Sequence, residues 1–395
     1  MEQVLYKLPD GWEWSNLTDI CTPSRKTVEP NPEEQYNYIG LENIESHTGK
    51  VIRDYPTKGS EISSTKVSFK KGMVLYGKLR PYLNKVVVAK IDGIATTEII
   101  PFECSDAISP DFLAYYLRSQ YFVDLAMNNC SGARMPRATT KLFTQIAKVP
   151  VTSITEQKRI VEKLDALLTR IDTAIEHLQQ SVTLADALYA SELASVFSSG
   201  QDKWPLRELN EIAEVARGKS KHRPRNDKSL FGGEYPFIQT GDVRNAQKYI
   251  TNYSATYNEK GLQQSKLWPK DTICLTIAAN IGDVAILGMD ACFPDSVVGI
   301  SSSELETDYL YYFLTTLQQQ LDSKANAAAQ KNINLKILSE IKIPVPSLDE
   351  QKSIVRQINE IDRLAVKAKA EISEKITMMQ QLKASILDSA FKGEL

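Results

Sequence analysis

Two long stretches of the chain place apolar residues in steps of three and four. In the first they fall at Ile160, Leu164, Leu167, Ile171, Ala174, Leu178, Val182 and Ala185. In the second they fall at Ile354, Ile358, Ile361, Ala365, Ala368, Ile372, Met379 and Leu382. Such steps, sustained over several heptads, predict long helices that share a coiled-coil seam. The alternative is two separate amphipathic helices, each packed on its own domain; the equal length of the seams favours pairing. Each helix is expected to start after a Pro-containing strand end, with Thr155 or Asp349 as N-cap. Glu156 or Glu350 then sits in the first turn, where the helix dipole favours a carboxylate.

Elsewhere the period shortens. "GMVLYG", "NKVVVAKI", "DTICLTIA" and "DVAILGM" are β-branched runs bounded by Gly, Pro, Asn or Asp, and they read as strands. "PDFLAYYLRSQYFVDLA" and "TDYLYYFLTTLQQQL" each read as a helix, with Asp111 and Asp308 in their first turns. Their aromatic stripes fit a core better than a base-stacking platform.

The two helical patterns are copies. "TEQKRIVEKLDALL" starts at Thr155 and "DEQKSIVRQINEID" at Asp349, an offset of 194. At the same offset Val149-Pro150-Val151 meets Ile343-Pro344-Val345, and "LYASELASVF" (Leu188 to Phe197) meets "LKASILDSAF" (Leu382 to Phe391). Agreement over some forty residues without a gap indicates internal duplication. The intervening segments repeat less faithfully: "DFLAYYL" resembles "DYLYYFL" at offset 197, and "LTDI" resembles "LNEI" at offset 192. Small insertions and deletions of this kind fall in loops. The chain therefore divides into a variable region (1–153), a constant helix (154–200), a second variable region (201–347) and a second constant helix (348–395).

Composition adds exclusions. The 395 residues suit two or more domains, and 42% apolar with 24% charged residues is a globular balance. No apolar run approaches the ~20 residues of a membrane span, and "MEQVLYKLPDGWEW" lacks a signal-peptide pattern; a cytoplasmic protein is expected. Five scattered cysteines without C-x-x-C, and three distant histidines, argue against a disulfide framework, a zinc module or a Cys–His site. No nucleotide-binding, metalloprotease or hydrolase signature occurs. The duplicated Glu156-Gln157-Lys158 and Glu350-Gln351-Lys352 mimic the acidic-plus-lysine end of a nuclease site, but their place at a helix start favours capping and partner contact.

A net charge of −2 leaves nucleic acid to local patches. Acid-free basic clusters provide them. "RGKSKHRPRN" holds Arg217, Lys219, Lys221, Arg223 and Arg225. "KVSFKKGMVLYGKLRPYLNK" holds Lys66, Lys70, Lys71, Lys78, Arg80 and Lys85. "GARMPRATTK" adds Arg134, Arg137 and Lys141, and "ANAAAQKNINLK" adds Gln330, Lys331, Asn332 and Asn334. Lys and Arg suit phosphates, while Arg, Asn and Gln suit base edges. Each cluster alone is commonly a solvated face; their recurrence in both variable regions favours DNA.

The whole pattern resembles the DNA-specificity subunit of type I restriction–modification enzymes. The resemblance rests on "LPDGWEWSNL", "YGKLRPYLNK", the "P-V-x-S-[IL]-x-E-Q" start of each helix, and the end "LKASILDSAFKGEL". It implies an α+β fold of two mixed α/β target-recognition domains. Two long helices would separate them, paired as an antiparallel coiled coil with pseudo-two-fold repetition. It implies a non-catalytic subunit of a DNA adenine methyltransferase and type I endonuclease complex. Its partners would be double-stranded DNA, two methyltransferase subunits and restriction motor-nuclease subunits. S-adenosylmethionine, ATP and Mg²⁺ would belong to those partners, with none bound by this chain. DNA contacts are then expected at Lys78, Arg80, Tyr82, Asn84, Lys85, Arg134 and Arg137. In the second region they are expected at Lys219, Lys221, Arg223, Arg225, Asn280, Gln330, Lys331 and Asn332. Partner contacts are expected at Glu156, Gln157, Phe197, Glu350, Gln351 and Phe391, the two phenylalanines facing outward. A stand-alone repressor or scaffold remains the alternative. A methyltransferase in its own right does not fit, since Asn31-Pro32-Glu33 lacks the second proline and the aromatic of an N-P-P-[FY] motif.

Overall fold

The two apolar patterns of period 3.6 become helices Ile154–Ser198 and Leu348–Phe391, and the β-branched runs become strands Val74–Gly77, Val86–Val88, Ile273–Thr276 and Val284–Leu287. The structure, a computed structural model, describes residues 2–52, 56–198, 203–222, 224–278, 281–318 and 335–395. The chain forms two compact units: one joins Met1–Gln179 to Ser373–Leu395, and the other is Gln180–Ile372. Each long helix thus contributes one part to each unit.

In the first unit, one sheet runs Cys21–Pro23, Ile99–Cys104, Val74–Gly77, Val86–Val88, antiparallel throughout. A second runs Thr27–Val28, Lys66–Phe69, Gly93–Ala95, Tyr38–Ile39. The second unit has a five-stranded sheet, Glu214–Arg217, Val297–Ser301, Ile273–Thr276, Val284–Leu287, Tyr249–Ile250, and a four-stranded one beginning at Ala255–Tyr257. A two-stranded ribbon closes each unit in the same register: Ser15 faces Val149 in one, and Arg207 faces Ile343 in the other.

The expected helix at 110–126 is two helices, Pro110–Arg118 and Gln120–Asn128. Ser119 between them is extended, and its hydroxyl accepts from Phe122 N. That local cap outcompetes continuation of the helix. Its counterpart is Thr307–Thr316. The aromatic stripes are core in both: Phe112, Tyr116, Tyr309 and Phe313 are buried.

Both long helices begin two residues earlier than a Thr155 or Asp349 cap requires. Glu156 N donates to Ser153 Oγ, and Glu350 N to Ser347 Oγ, while Glu350 reaches back to Ser347 N. The caps are Ser153 and Ser347, with the Glu three positions on. In the first unit the helices run antiparallel, with Asp172 ion-paired to Lys383. In the second they do the same, with Asp186 paired to Lys369 at 2.7 Å. From Asp172 to Asp186 one helix advances by as many residues as the other retreats. Of the expected seam, Ile160, Leu164, Ile171, Ile354 and Ile358 are buried, while Ala368 and Leu382 are exposed.

Candidate nucleic-acid interface

The constant motifs account for the architecture first, and four of the expected partner contacts prove to be interior. Gln157 and Gln351 are both 0% exposed. Gln157 Oε1 accepts from Ser109 N at 2.8 Å, and its Nε2 donates to Ala107 O and Thr152 O. Gln351 repeats this: Oε1 accepts from Glu306 N at 2.7 Å, and Nε2 donates to Glu304 O and Pro346 O. A primary amide alone offers one acceptor and two donors to satisfy such a trio. Each glutamine therefore bolts a long helix to the start of a domain helix.

Phe391 is 1% exposed and stands edge-on to Phe112 (5.1 Å) and Tyr116 (5.2 Å) in the first unit. Phe197, 4% exposed, meets Tyr309 (5.3 Å) and Phe313 (5.4 Å) in the second. They face inward because aromatic burial against these helices outweighs anything solvent offers. The remaining two expected contacts, Glu156 and Glu350, lie at the surface: Glu156 takes a fork of two hydrogen bonds from Arg159, and Glu350 caps its helix. The chain end joins the same assembly. Arg159 donates to Leu395 O and Tyr6 to Phe391 O, while Gln3 bridges Tyr116, Tyr121 and Lys148.

The glutamine contacts yield a measurable expectation. Gln157→Leu removes the partner of a half-buried N–H and of two carbonyls, at about 1 kcal/mol for each hydrogen bond lost and up to ~3 where the group stays out of water. A urea midpoint lowered for the first unit, and lowered likewise for the second in Gln351→Leu, is the expected result; unchanged midpoints would show the bonds to be dispensable.

The basic loops remain as the exposed chemistry. In the first unit two of them are brought together. Leu79 bridges to Arg137, Arg80 N donates to Pro136 O at 2.7 Å, and Ala138 N donates to Lys78 O at 3.0 Å. Lys78, Arg80, Tyr82, Arg134 and Arg137 thus share one corner. Tyr82 is 44% exposed at the tip of the turn Pro81–Leu83, which is flanked by Arg80 and Asn84, both in the left-handed region at φ 50°. Two expected contacts turn inward. Asn84 is buried and donates to Arg118 O at 2.7 Å, since asparagine tolerates the left-handed turn. Lys85 donates to Leu41 O at 2.7 Å. Lys66 is buried too, its Nζ on Ser63 O and Ser64 O, and burial lowers its pKa.

In the second unit Lys219, Lys221 and Arg225 are exposed on one loop. Asp227 pins that loop, accepting from Ser229 N and contacting His222 at 2.8 Å; the Ser229 bonds, then His222, hold its carboxyl down to about 2. Arg225 pairs with Asp295 at 2.6 Å. Arg223, Asn280, Gln330, Lys331 and Asn332 lie outside the described residues.

Sequence reasoning missed the acids. Glu98 holds Arg137 through Nε and Nη2 at 2.8 and 2.9 Å, as Asp295 holds Arg225. A search for acid-free runs cannot see carboxylates that arrive from elsewhere in the chain; only strand register places them. A polar cleft of about 270 Å³ in the first unit, lined by Arg118, Asp165, Asp172 and Lys383 among others, lies where the domain meets the helix pair. Among the described residues no helix is long and apolar enough to cross a membrane.

Comparison with known proteins agrees with this architecture. The family model of the type I restriction modification DNA specificity domain matches twice, at residues 9–184 and 201–378. The type I restriction enzyme StySPI specificity subunit of Salmonella potsdam is 22% identical over 98% of this chain and 90% of its own. The putative type I restriction enzyme MjaX specificity subunit of Methanocaldococcus jannaschii is 25% identical over 98% of this chain and 95% of its own. A solved chain described under complex assembly and conformational transition of the type I R-M system has a TM-score of 0.82 at 24% identity, covering 99% of this chain and 100% of that one. The HsdS subunit from Thermoanaerobacter tengcongensis has a TM-score of 0.58 at 24% identity, over 99% of each chain. At these identities the structural likeness bears on the fold alone.

Proposed function

The chain belongs to the type I restriction modification DNA specificity family, and from that premise we propose that it reads a split, asymmetric DNA target on behalf of methyltransferase and motor-nuclease subunits. The observation that carries this is the duplication itself. Each half matches the family model, and in each unit the same buried glutamine and the same phenylalanine pack the domain onto the long helices. The basic loops, by contrast, differ between the halves. Like scaffolds with unlike loops suit two unlike half-sites. Phosphate contacts would come from lysines such as Lys78, Lys219 and Lys221, which supply salt-dependent affinity. Sequence discrimination would come from arginines at base edges.

Partner docking, on this reading, uses what the helices leave exposed rather than Phe197 and Phe391. Leu184 and Leu188 on the first helix, and Leu364, Val366, Met378 and Leu382 on the second, are large apolar residues at the surface. Repetition of the helices favours two methyltransferase copies per chain. The chemistry, with S-adenosylmethionine, ATP and Mg²⁺, would be theirs.

The purified chain alone is expected neither to methylate nor to cut DNA, and to gain methyl transfer when methyltransferase chains from its host are added. Pull-down from the host should recover those chains. Robust methyl transfer by the isolated, verified-pure protein would overturn the assignment, and a clean homodimer without them would favour a repressor.

A further inference from the structure

We propose that Arg137 and Arg225 are the guanine-reading side chains of the first and second units, each aimed by a carboxylate, Glu98 or Asp295, that rises at the same corner of the domain. The inference rests on the functional reading above and sharpens it to named atoms.

The corner is defined by register. In the first unit Lys78 N donates to Glu98 O at 2.8 Å, and Ile99 faces Gly77. In the second unit Ile277 N donates to Ser296 O at 3.0 Å, and Val297 faces Thr276. Glu98 and Ser296 therefore occupy equivalent positions, and Asp295 is the next residue back. The arginines are not equivalent in sequence. Arg137 comes from the hairpin strand Arg137–Ala138, late in its unit, whereas Arg225 comes from a loop early in its own. Two unrelated loops thus bring an arginine to a carboxylate at neighbouring positions of the same strand end, Glu98 in one unit and the residue before the Glu98 equivalent in the other. An incidental surface ion pair gives no reason for that coincidence.

The geometry suits base reading. Glu98 occupies the Nε–Nη2 edge of Arg137. Among the described residues, the Nη1 group and the second Nη2 hydrogen of Arg137 have no partner. Those two parallel donors match the O6 and N7 acceptors of guanine in the major groove. A guanidinium already fixed in its plane loses less freedom on binding than an unheld one. Arg137 remains 46% exposed and Arg225 50%, so both are accessible while held. The neighbouring backbone is strained in the first unit. Arg80, immediately before Pro81, adopts φ 50° and is fixed by Pro136 O, beside Arg137. Residues before proline avoid that region, and strain of this kind gathers at working surfaces.

The test maps methylated bases across the host genome for the wild type and for chromosomal Arg137→Lys, Glu98→Gln and Arg225→Lys. The wild type should give one split motif. Arg137→Lys and Glu98→Gln should relax the same single guanine in one half, and Arg225→Lys a guanine in the other half only. A second measurement does not depend on variant folding. The wild-type complex is titrated with its target carrying 7-deazaguanine, which lacks N7, at each guanine in turn. One guanine in each half should weaken binding roughly ten-fold, the scale of a bidentate contact. An unchanged motif in all three variants, or a uniform fall in methylation with the motif intact, would overturn the proposal, as would deazaguanine tolerance at every guanine. Absence of any motif in the wild type would instead overturn the functional reading beneath it.

Discussion

Replacing Phe391 with Asp is expected to unfold the first unit, not merely to detach a partner. The ring is buried against Phe112 and Tyr116, within a cluster that also holds Leu164, Val149 and Ala390. Truncation of such a phenylalanine to Ala costs ~3–5 kcal/mol. Asp adds a carboxylate to that apolar cluster, and its desolvation costs more still. For a unit of roughly two hundred residues, the Ala variant alone should lower the midpoint of thermal melting by about 10 °C. Phe197→Ala should do the same to the second unit, where the ring meets Tyr309 and Phe313. Phe391→Leu keeps an apolar side chain and should cost only about 1–2 kcal/mol. Differential scanning calorimetry resolves the two units if they melt separately. A Phe391→Asp protein that melted like the wild type but failed to bind methyltransferase would restore the outward-facing reading.

How far the sequence could be read follows from which forces are local. The long helices, the strands Val74–Gly77 and Ile273–Thr276, and the duplication were legible because period and repetition are written along the chain. The direction of Phe391 was not. "LKASILDSAF" is amphipathic on its own terms, and nothing near it announces that Phe112 and Tyr116, far away in sequence, complete its pocket. The same holds for Gln157 and Gln351. Their polarity pointed to a surface, whereas the structure supplies each with three backbone partners and no exposure. The basic loops divide likewise. Arg80, Tyr82, Arg134 and Arg137 are exposed at one corner, as their loop composition suggested. Asn84 and Lys85 turned inward because a left-handed turn and the Leu41 carbonyl claimed them. Glu98 and Asp295, the acids that hold the arginines, were invisible to any search along the chain.

On the split-target reading proposed above, inserting one heptad into each long helix is expected to lengthen the unread spacer and leave both half-sites as they are. The helices run unbroken from Ile154 to Ser198 and from Leu348 to Phe391, each leaving one unit and entering the other. The split-target reading, with both half-sites on one side of B-DNA, favours half-site centres about one helical turn, ~10 base pairs, apart. With half-sites of ~3–5 base pairs, set by how many base edges a few side chains reach, a spacer of roughly 5–8 base pairs remains. Seven residues keep the apolar seam in phase and add roughly 10 Å of helix, equivalent to ~3 base pairs of rise. The insertion belongs after Gln180 and after Glu374, away from the Asp172–Lys383 and Asp186–Lys369 pairs, so that both pairs re-form. Three base pairs also rotate the duplex by about a third of a turn, so weaker binding should accompany the longer spacer. Methylation mapping of the host gives spacer and half-sites in one measurement. A spacer that stayed fixed, or a half-site that changed in its place, would show that the helices do not set the distance.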